Sequence, residues 1–196
     1  MIAIVDYGAG NLNSVRKAFD YLGAEVVVTD QPATIAAADK IVFPGVGHFS
    51  SLQVLDRTGL REALLRGTSS GKPFLGICVG MQWLFEGSDE SSEVAGAGIF
   101  PGKCRPFPSS VKSPHVGWNS LAIQGGSRLL RGIKQDSFVY YTHSFHAPVV
   151  ASMSAATDYG LRFAGAVEQG SIFGVQFHPE KSGDVGLSIL KNFCEV

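Results

Sequence analysis

One cysteine stands in a setting typical of a nucleophile. The apolar residues 73–75 lead into Gly-Ile-Cys-Val-Gly at residues 76–80, which places Cys78 at a predicted strand-to-helix turn. Such a nucleophile elbow holds the reactive side chain in a strained, exposed conformation, and the flanking glycines remove Cβ atoms that would clash. The N-terminus of the following helix favours the thiolate. The pattern predicts a nucleophilic Cys78; a small cysteine buried under a helix is the alternative.

A nucleophilic cysteine needs a base and a group that orients that base. Residues 171–177 predict a strand, and His178, Pro179 and Glu180 follow it. Residues i and i+2 of an extended chain point to the same side, so we expect Glu180 to orient His178 while His178 takes the thiol proton. In open α/β sheets, sites collect at the carboxyl ends of strands, where Cys78 also lies. The alternative is a loop histidine beside a surface glutamate.

A third strand end predicts donors for an oxyanion. The apolar segment 40–43 runs into Pro44, Gly45, Val46 and Gly47, a loop whose backbone N–H groups are expected to remain free. Together with the N–H of Val79, they predict an oxyanion hole, and one such donor typically contributes about 10²- to 10³-fold in rate. The alternative is an ordinary strand-to-helix turn.

Three motifs resemble the signatures of the class I (triad) glutamine amidotransferases. They are Pro-Gly-Val-Gly at 44–47, Gly-Ile-Cys-Val-Gly-Met-Gln at 76–82 and Phe-His-Pro-Glu at 177–180, and together they span nearly the whole chain. The resemblance implies a glutaminase that needs no cofactor. In such an enzyme the Cys78 thiolate attacks the side-chain amide of glutamine, His178 protonates the departing ammonia, and water hydrolyses the γ-glutamyl thioester.

The resemblance also assigns the residues that bind the substrate. Glu90 is the least secure of them, because Asp89 and Glu93 lie close by. The implied oxyanion and substrate-binding residues are Gly45, Val46, Gly47, Val79, Gln82, Glu90, Ser144 and Phe145.

Further motifs are similar to one branch of this family, whose members pass ammonia to a separate (β/α)8-barrel cyclase subunit in histidine biosynthesis. They are Pro-His-Val-Gly-Trp-Asn at 114–119, Tyr-Tyr-Thr-His-Ser-Phe at 140–145, a lysine after His-Pro-Glu, and the opening segment 4–12. The branch implies a heterodimer with the cyclase. The implied contact residues are Asn11, Trp118, Tyr140 and Lys181. Without the resemblance, a core tryptophan, a strand tyrosine and a solvated lysine are the simpler interpretations.

Composition favours one compact enzyme domain over residues 1–196, with 45% hydrophobic residues and 24 glycines. A net charge of −1 and the lack of a basic cluster make nucleic acid an unlikely class of partner. Three cysteines without close pairs argue against a disulfide framework. His143 and His146 have no accompanying ligand cluster, so we expect them to be structural and expect no metal site.

The start of the chain lacks a basic region followed by a long apolar region, and no apolar run approaches the length of a membrane span. We therefore expect a soluble cytoplasmic protein that does not contact a membrane. Glycines at 8 and 10 suggest a dinucleotide loop, but the third glycine is replaced by Asn13, so we expect no nucleotide site.

Strands and helices alternate in the first half of the sequence. Val15, Ala18, Phe19 and Leu22 recur at helical spacing before Gly23, which predicts the first helix and its end. Strands are predicted at 2–5, 26–29, 41–43 and before Cys78, and helices around 51–55, 60–66 and 185–194. The alternation indicates a three-layer, flavodoxin-like α/β fold with an open, mostly parallel sheet. The segments beyond Ser88 are predicted to be antiparallel additions to the same sheet.

Three alternatives of different class remain open from sequence. A glutaminase serving a synthase for anthranilate, aminodeoxychorismate or guanylate usually has Pro-Gly-Gly where this chain has Pro-Gly-Val-Gly at 44–47. A hydrolase of the same fold would act on γ-glutamyl or peptide bonds without a cyclase. A binding module with a relic triad is the third.

Overall fold

A central sheet of eight strands dominates the computed structural model, which describes residues 1–196. The strands of the protein are β1 (Ile2–Val5), β2 (Val26–Thr29), β3 (Lys40–Gly45), β4 (Phe74–Cys78), β5 (Gly87–Ser88), β6 (Lys103–Pro106), β7 (His115–Ser120), β8 (Ala122–Ile123), β9 (Phe138–His143), β10 (Phe145–His146), β11 (Met153–Asp158), β12 (Arg162–Gln169) and β13 (Ile172–Val175). The central sheet has the order β2-β1-β3-β4-β13-β12-β11-β8. The first five strands in this order, β2, β1, β3, β4 and β13, pair in parallel. The last three, β12, β11 and β8, add antiparallel pairings.

Two groups of helices cover the sheet. The helices are α1 (Leu12–Tyr21), α2 (Pro32–Ala37), α3 (Val54–Thr58), α4 (Leu60–Ser69), α5 (Val79–Trp83) and α6 (Gly183–Glu195), with 3₁₀ turns at Phe49–Gln53 and Pro179–Lys181. Right-handed crossovers place α1 on one face of the sheet and α2 and α4 on the other. Accordingly α1 packs on α6, where the rings of Phe19 and Phe193 lie 6.4 Å apart, and α2 packs on α4. This is the predicted three-layer arrangement.

The strands and the first helix predicted for the first half of the chain are confirmed. Helix α1 buries Val15, Ala18 and Phe19, the residues at helical spacing. The helix expected around 51–55 is instead a 3₁₀ turn followed by α3, and the sequence did not predict α2. No helix is both long and apolar enough to span a bilayer.

The second half differs from the prediction in part. Only β8, β11 and β12 join the central sheet as antiparallel strands. Strands β10, β6 and β5 form a separate sheet, and β7 and β9 form a two-stranded antiparallel sheet. Alternating polarity identifies a strand and its buried face but does not specify its neighbour, which is why the sequence did not separate these sheets.

The fold brings the three sequence motifs together. β3, β4 and β13 are neighbours in the sheet and run in the same direction, so their carboxyl ends meet at one edge. Gly45 at the end of β3 is the register partner of Cys78 at the end of β4. β3 pairs with β1 only as far as Val42, so Pro44, which has no N–H to donate, lies where one side of β3 is already unpaired.

Candidate active site

Cys78 occupies a strained strand-to-helix turn. It has φ 54° and ψ −109°, one of two non-glycine residues with positive φ, and α5 begins at the next residue. A Cβ at Gly80 would overlap the carbonyl oxygen of Phe43, and a Cβ at Gly76 would fall against the carbonyl of Gly80. Close backbone approach therefore explains both glycines of the elbow. Positive φ at a non-glycine residue costs on the order of 1–3 kcal/mol, which the packed surroundings must offset.

The thiol is buried, contrary to the exposed pose expected from the motif. Cys78 is 3% exposed. Its Sγ lies 3.9 Å from the carbonyl oxygen of Thr142, to which the thiol donates, and 3.7 Å from Nε2 of Gln176, which donates to the sulfur. These two groups cover Cys78, so the sulfur is reached only through the cleft that it lines.

His178 and Glu180 form a buried ion pair beside the elbow. His178 Nδ1 lies 2.8 Å from Glu180 Oε1, and both side chains are 1% exposed. β13 ends at Val175, and Pro179 opens a 3₁₀ turn that contains Glu180. The extended geometry used to predict this pair is therefore wrong, although the pair itself forms: the turn, rather than the i, i+2 alternation of a strand, brings the carboxylate back to the imidazole.

The imidazole is poised to be positively charged. Burial opposes the charge, but the neighbouring Cys78 sulfur and Glu180 carboxylate outweigh it and raise the pKa of His178 to about 10. Nε2 of His178 has no well-aligned hydrogen-bond partner in the protein, although it is close enough to the sulfur for that electrostatic effect. The arrangement therefore favours a protonated imidazole beside Cys78, with one imidazole nitrogen available for proton transfer.

A cleft of about 360 Å³ opens over Cys78. The predicted residues that line it are Gly47, Cys78, Val79, Gln82, Glu90, Ser144 and Phe145. Gly45 and Val46 are not part of its lining, although Gly45 adjoins Cys78 through the strand register. A larger cleft of about 470 Å³ lies between α2 and α4, but neither a cysteine nor a histidine lines it. The candidate active site is therefore the smaller cleft, which Cys78 lines.

Of the three neighbouring acids, the structure places Glu90 in the cleft. Its Oε2 accepts the backbone N–H of Phe49 at 2.8 Å, and its side chain is 15% exposed. Glu93 instead accepts hydrogen bonds from Ser91 and Gln53 away from the cleft, and Asp89 does not line it. Glu90 is thus the acid available to a ligand beside Cys78.

Two buried glutamines join the cleft to the nucleophile. Gln82 Nε2 donates to the Phe145 carbonyl at 2.9 Å and to Gln176 Oε1 at 3.2 Å, so the amide oxygen of Gln82 remains available to a ligand. Gln176 is fully buried and donates in turn to Cys78. The sequence analysis missed Gln176; its position two residues before His178, on the same side of an extended segment, was the signal that would have found it.

Three of the four predicted partner-contact residues form one exposed cluster. Trp118 on β7 is the register partner of Tyr140 on β9, with ring centroids 6.0 Å apart, and Lys181 Nζ lies 5.8 Å from the Tyr140 ring. Trp118 is 55% exposed, so it is not a core residue. Val116 and Phe138, which the sequence analysis did not select, extend the apolar surface. Asn11 is half-buried and precedes α1 in the loop after β1.

The cluster of Trp118, Tyr140 and Lys181, called the docking cluster after its predicted role, contacts the His178 segment through the backbone of Tyr140. The Tyr140 carbonyl accepts the backbone N–H of His178 at 2.8 Å, and the Tyr140 N–H donates to Ser182 Oγ at 2.9 Å. Ser182 Oγ donates to the carbonyl of His178 at 2.7 Å. Strand β9 is therefore joined by hydrogen bonds to the segment that carries His178.

The family model described as Glutamine amidotransferase class-I matches residues 3–196. The chain belongs to the class I glutamine amidotransferase family. This amidotransferase is 47% identical, over 100% of its length and 98% of the relative's, to a Methanothermobacter thermautotrophicus protein named imidazole glycerol phosphate synthase subunit HisH. A Chlorobium luteolum protein of the same name is 46% identical over 100% of both chains.

The fold of the amidotransferase agrees with solved structures. A crystal structure titled glutamine amidotransferase superposes with a TM-score of 0.77, covering 99% of this chain and 100% of that one at 16% identity. The structure of PurLQS from Thermotoga maritima gives a TM-score of 0.73 at 18% identity and covers 99% of this chain and 97% of that one. At these identities the likeness concerns the fold, and it confirms the predicted fold class.

Proposed function

We propose that this amidotransferase is the glutaminase subunit of imidazole glycerol phosphate synthase, acting in histidine biosynthesis as one domain over residues 1–196. The observation that carries the proposal is the buried His178–Glu180 pair beside Cys78, which itself lines a cleft. Near-half identity over the full chain to proteins named as that subunit supports the choice of synthase over an independent hydrolase.

In the proposed reaction, glutamine enters the cleft with its side-chain amide at Cys78. The thiolate attacks the amide carbon, and His178 gives its Nε2 proton to the departing ammonia, which leaves a γ-glutamyl thioester on Cys78. His178 then takes a proton from water, which attacks the thioester and releases glutamate. Glu180 holds the imidazole through Nδ1, so Nε2 faces the reacting atoms throughout.

The negative charge that develops on the carbonyl oxygen needs donors. The backbone N–H of Val79 and those of the Gly45-Val46-Gly47 loop are the proposed oxyanion donors, because β3 sets Gly45 beside Cys78. Glu90 and the Gln82 amide oxygen are the proposed acceptors for the α-amino group of glutamine, and the backbone at Ser144 and Phe145 completes the pocket for its amino-acid end.

The ammonia is proposed to pass to a (β/α)8-barrel cyclase subunit in a heterodimer. The docking cluster, together with Asn11, is the proposed contact surface, since an exposed tryptophan beside a tyrosine is typical of interaction sites. The backbone hydrogen bond between Tyr140 and His178 is the proposed route by which docking adjusts the base.

Glutamate release, measured first with this chain alone and then with the cyclase subunit and its ribonucleotide ligand, tests the proposal. We expect low activity alone and a strong rise in the mixture. Cys78→Ala should abolish activity and leave complex formation intact. High activity without the cyclase and no response to it would favour an independent γ-glutamyl or peptide hydrolase, and binding without activity would favour the relic module.

A further inference from the structure

A chain of hydrogen bonds outside the triad ends at the glutamine cleft. His115 Nδ1 lies 3.1 Å from His143 Nε2, and His143 Nδ1 lies 2.8 Å from the Phe145 carbonyl oxygen. Asn119 Nδ2 lies 3.4 Å from His115 Nε2. The sequence analysis grouped His143 with His146, but the structure pairs His143 with His115, and His146 instead contacts the Ala147 carbonyl.

Each bond of this chain has one possible direction. The Phe145 carbonyl can only accept, so the proton of His143 is on Nδ1. Burial lowers the pKa of His143 to about 3 and that of His115 to about 4, so both rings are neutral and His143 Nε2 is an acceptor. His115 therefore donates through Nδ1, and its Nε2 accepts from the Asn119 amide.

The Asn119 amide orientation is fixed independently. Its Oδ1 accepts the backbone N–H of Ser120 at 2.8 Å, and its Nδ2 also donates to the Asp158 carbonyl at 3.0 Å. The amide nitrogen consequently faces His115. The direction of the whole chain, from Asn119 through His115 and His143 to Phe145, follows from two carbonyl acceptors and one backbone donor.

Packing alone does not account for imidazoles at these positions. His115 is 3% exposed and stacks on Tyr159 with ring centroids 4.0 Å apart, and His143 is 6% exposed against Phe107 at 5.1 Å. A phenylalanine would fill this aromatic environment without desolvating two polar rings. The imidazoles add a directed donor to the Phe145 carbonyl, which also accepts from Gln82 at 2.9 Å.

We propose that His143 is a positioning residue, fixed in its Nδ1–H tautomer by His115. Its hydrogen bond to the Phe145 carbonyl holds the Ser144–Phe145 backbone in the conformation that binds the amino-acid end of glutamine. The proposal rests on the proposed glutaminase function. Because the carbonyl is held from one side by His143 and from the other by Gln82, loss of the His143 donor frees one side of the pocket wall.

Two substitutions at residue 143 separate the donor from the ring. In His143→Asn the side-chain amide nitrogen takes a place near that of Nδ1, so the donor to Phe145 is retained; in His143→Gln the amide lies near the position of Nε2 and the donor is lost. In complex with the cyclase, we expect H143Q to raise KM for glutamine about tenfold with kcat within about threefold, and H143N to restore KM. His115→Gln should raise KM by a smaller factor.

His146→Asn is the matched control, because His146 belongs to the same aromatic cluster, with its ring 5.1 Å from Phe107, but lies outside the chain of hydrogen bonds. It should leave KM unchanged. An unchanged KM in H143Q, an equal rise in H143N and H143Q, or an effect confined to kcat would overturn the proposal. Thermal unfolding of each variant establishes that it folds.

Nitrogen-15 NMR of the imidazole rings tests the tautomers without any activity readout. We expect protonated Nδ1 and unprotonated Nε2 in both His115 and His143 at neutral pH. Protonated Nε2 in His143 would overturn the proposal even in an active enzyme. Failure of the proposed function is seen separately, as a wild-type complex without glutamate release.

Discussion

His178 Nδ1 and Glu180 Oε1 lie 2.8 Å apart across the start of a 3₁₀ turn, with both side chains buried. The carboxylate fixes the ring and stabilises its protonated form, which is the form that must deliver a proton to ammonia. Glu180→Gln keeps the size but removes the charge. We expect kcat for glutamine hydrolysis to fall about 10²- to 10⁴-fold.

Alkylation of Cys78 by iodoacetamide should slow in the same variant, because the imidazolium beside the sulfur loses the carboxylate that stabilises its charge. Glu93→Gln is the control, since Glu93 bonds Ser91 and Gln53 rather than the triad. Equal activity in E180Q and E93Q would contradict the assigned role of Glu180.

The backbone contact between Gly80 and Phe43 predicts a stability effect. A Cβ at Gly80 would overlap the Phe43 carbonyl oxygen, so Gly80→Ala must displace α5 from β3. We expect a loss of about 1–3 kcal/mol in the free energy of unfolding, measured by urea denaturation, with a loss of activity. Gly125→Ala, at a glycine with open space around its Cβ position, should leave stability nearly unchanged. Comparable stability in both variants would argue against close packing of the elbow on β3.

The exposed docking cluster predicts a binding effect without a folding effect. Trp118→Ala should raise the Kd for the cyclase about 30-fold or more, because a half-exposed tryptophan at the centre of an apolar patch has the properties of a binding hot spot. Lys181→Ala should weaken binding less. Tyr21→Ala is a suitable control, since Tyr21 is 79% exposed at the end of α1 and lies outside the docking cluster.

Isothermal titration calorimetry measures these affinities, and thermal unfolding measures stability. If Trp118→Ala and Tyr21→Ala bind the cyclase equally well, the contact surface lies elsewhere on the molecule.

The buried histidine pair predicts a pH dependence of stability. The pKa of His143 falls from about 6.5 unfolded to about 3 folded, and that of His115 to about 4, because burial disfavours their charged forms. Above pH 6.5 both histidines are neutral in the folded and in the unfolded chain. As the pH falls from about 6.5 towards 4, the unfolded chain binds protons that the folded protein does not, so the free energy of unfolding decreases. Each histidine contributes at most about 1.4 kcal/mol per pH unit in that window.

Urea denaturation at several pH values checks this slope. His143→Gln should show a shallower loss between pH 6.5 and 4 than wild type, while His48→Asn, at an exposed histidine, should not. His178 stays protonated in the folded state throughout this window because its pKa is raised, so it adds little slope below pH 6.5. After burial, the neighbours His115, His146 and His178 also lower the pKa of His143. Parallel curves for wild type and H143Q would contradict the neutral buried pair.

Local sequence features predicted the parts of the site that depend on backbone sterics. The glycines around Cys78 stand within five residues of sequence, and Pro44 and Pro179 mark the ends of strands, so the elbow and the neighbouring strand ends were predictable. The reason given for the His178–Glu180 pair was wrong because a 3₁₀ turn and an extended segment both bring these side chains to one side, by different geometry.

Contacts between distant segments were not predictable. Gln176 meets Cys78 across 98 residues, and His115 meets His143 across 28 residues, only because β13 lies beside β4 and β7 pairs with β9. Alternating polarity does not specify which strands become neighbours, so the two small sheets and the histidine pair emerged only with the fold.

The central claim is that Cys78 carries the γ-glutamyl group during turnover. The complex with the cyclase is mixed with glutamine, quenched in acid, and the peptide containing Cys78 is weighed by mass spectrometry. We expect a mass increase of one γ-glutamyl group on Cys78 in the wild type and none in Cys78→Ala. Glutamine turnover by Cys78→Ala at the wild-type rate, with no adduct on Cys78 in the wild type, would contradict the account.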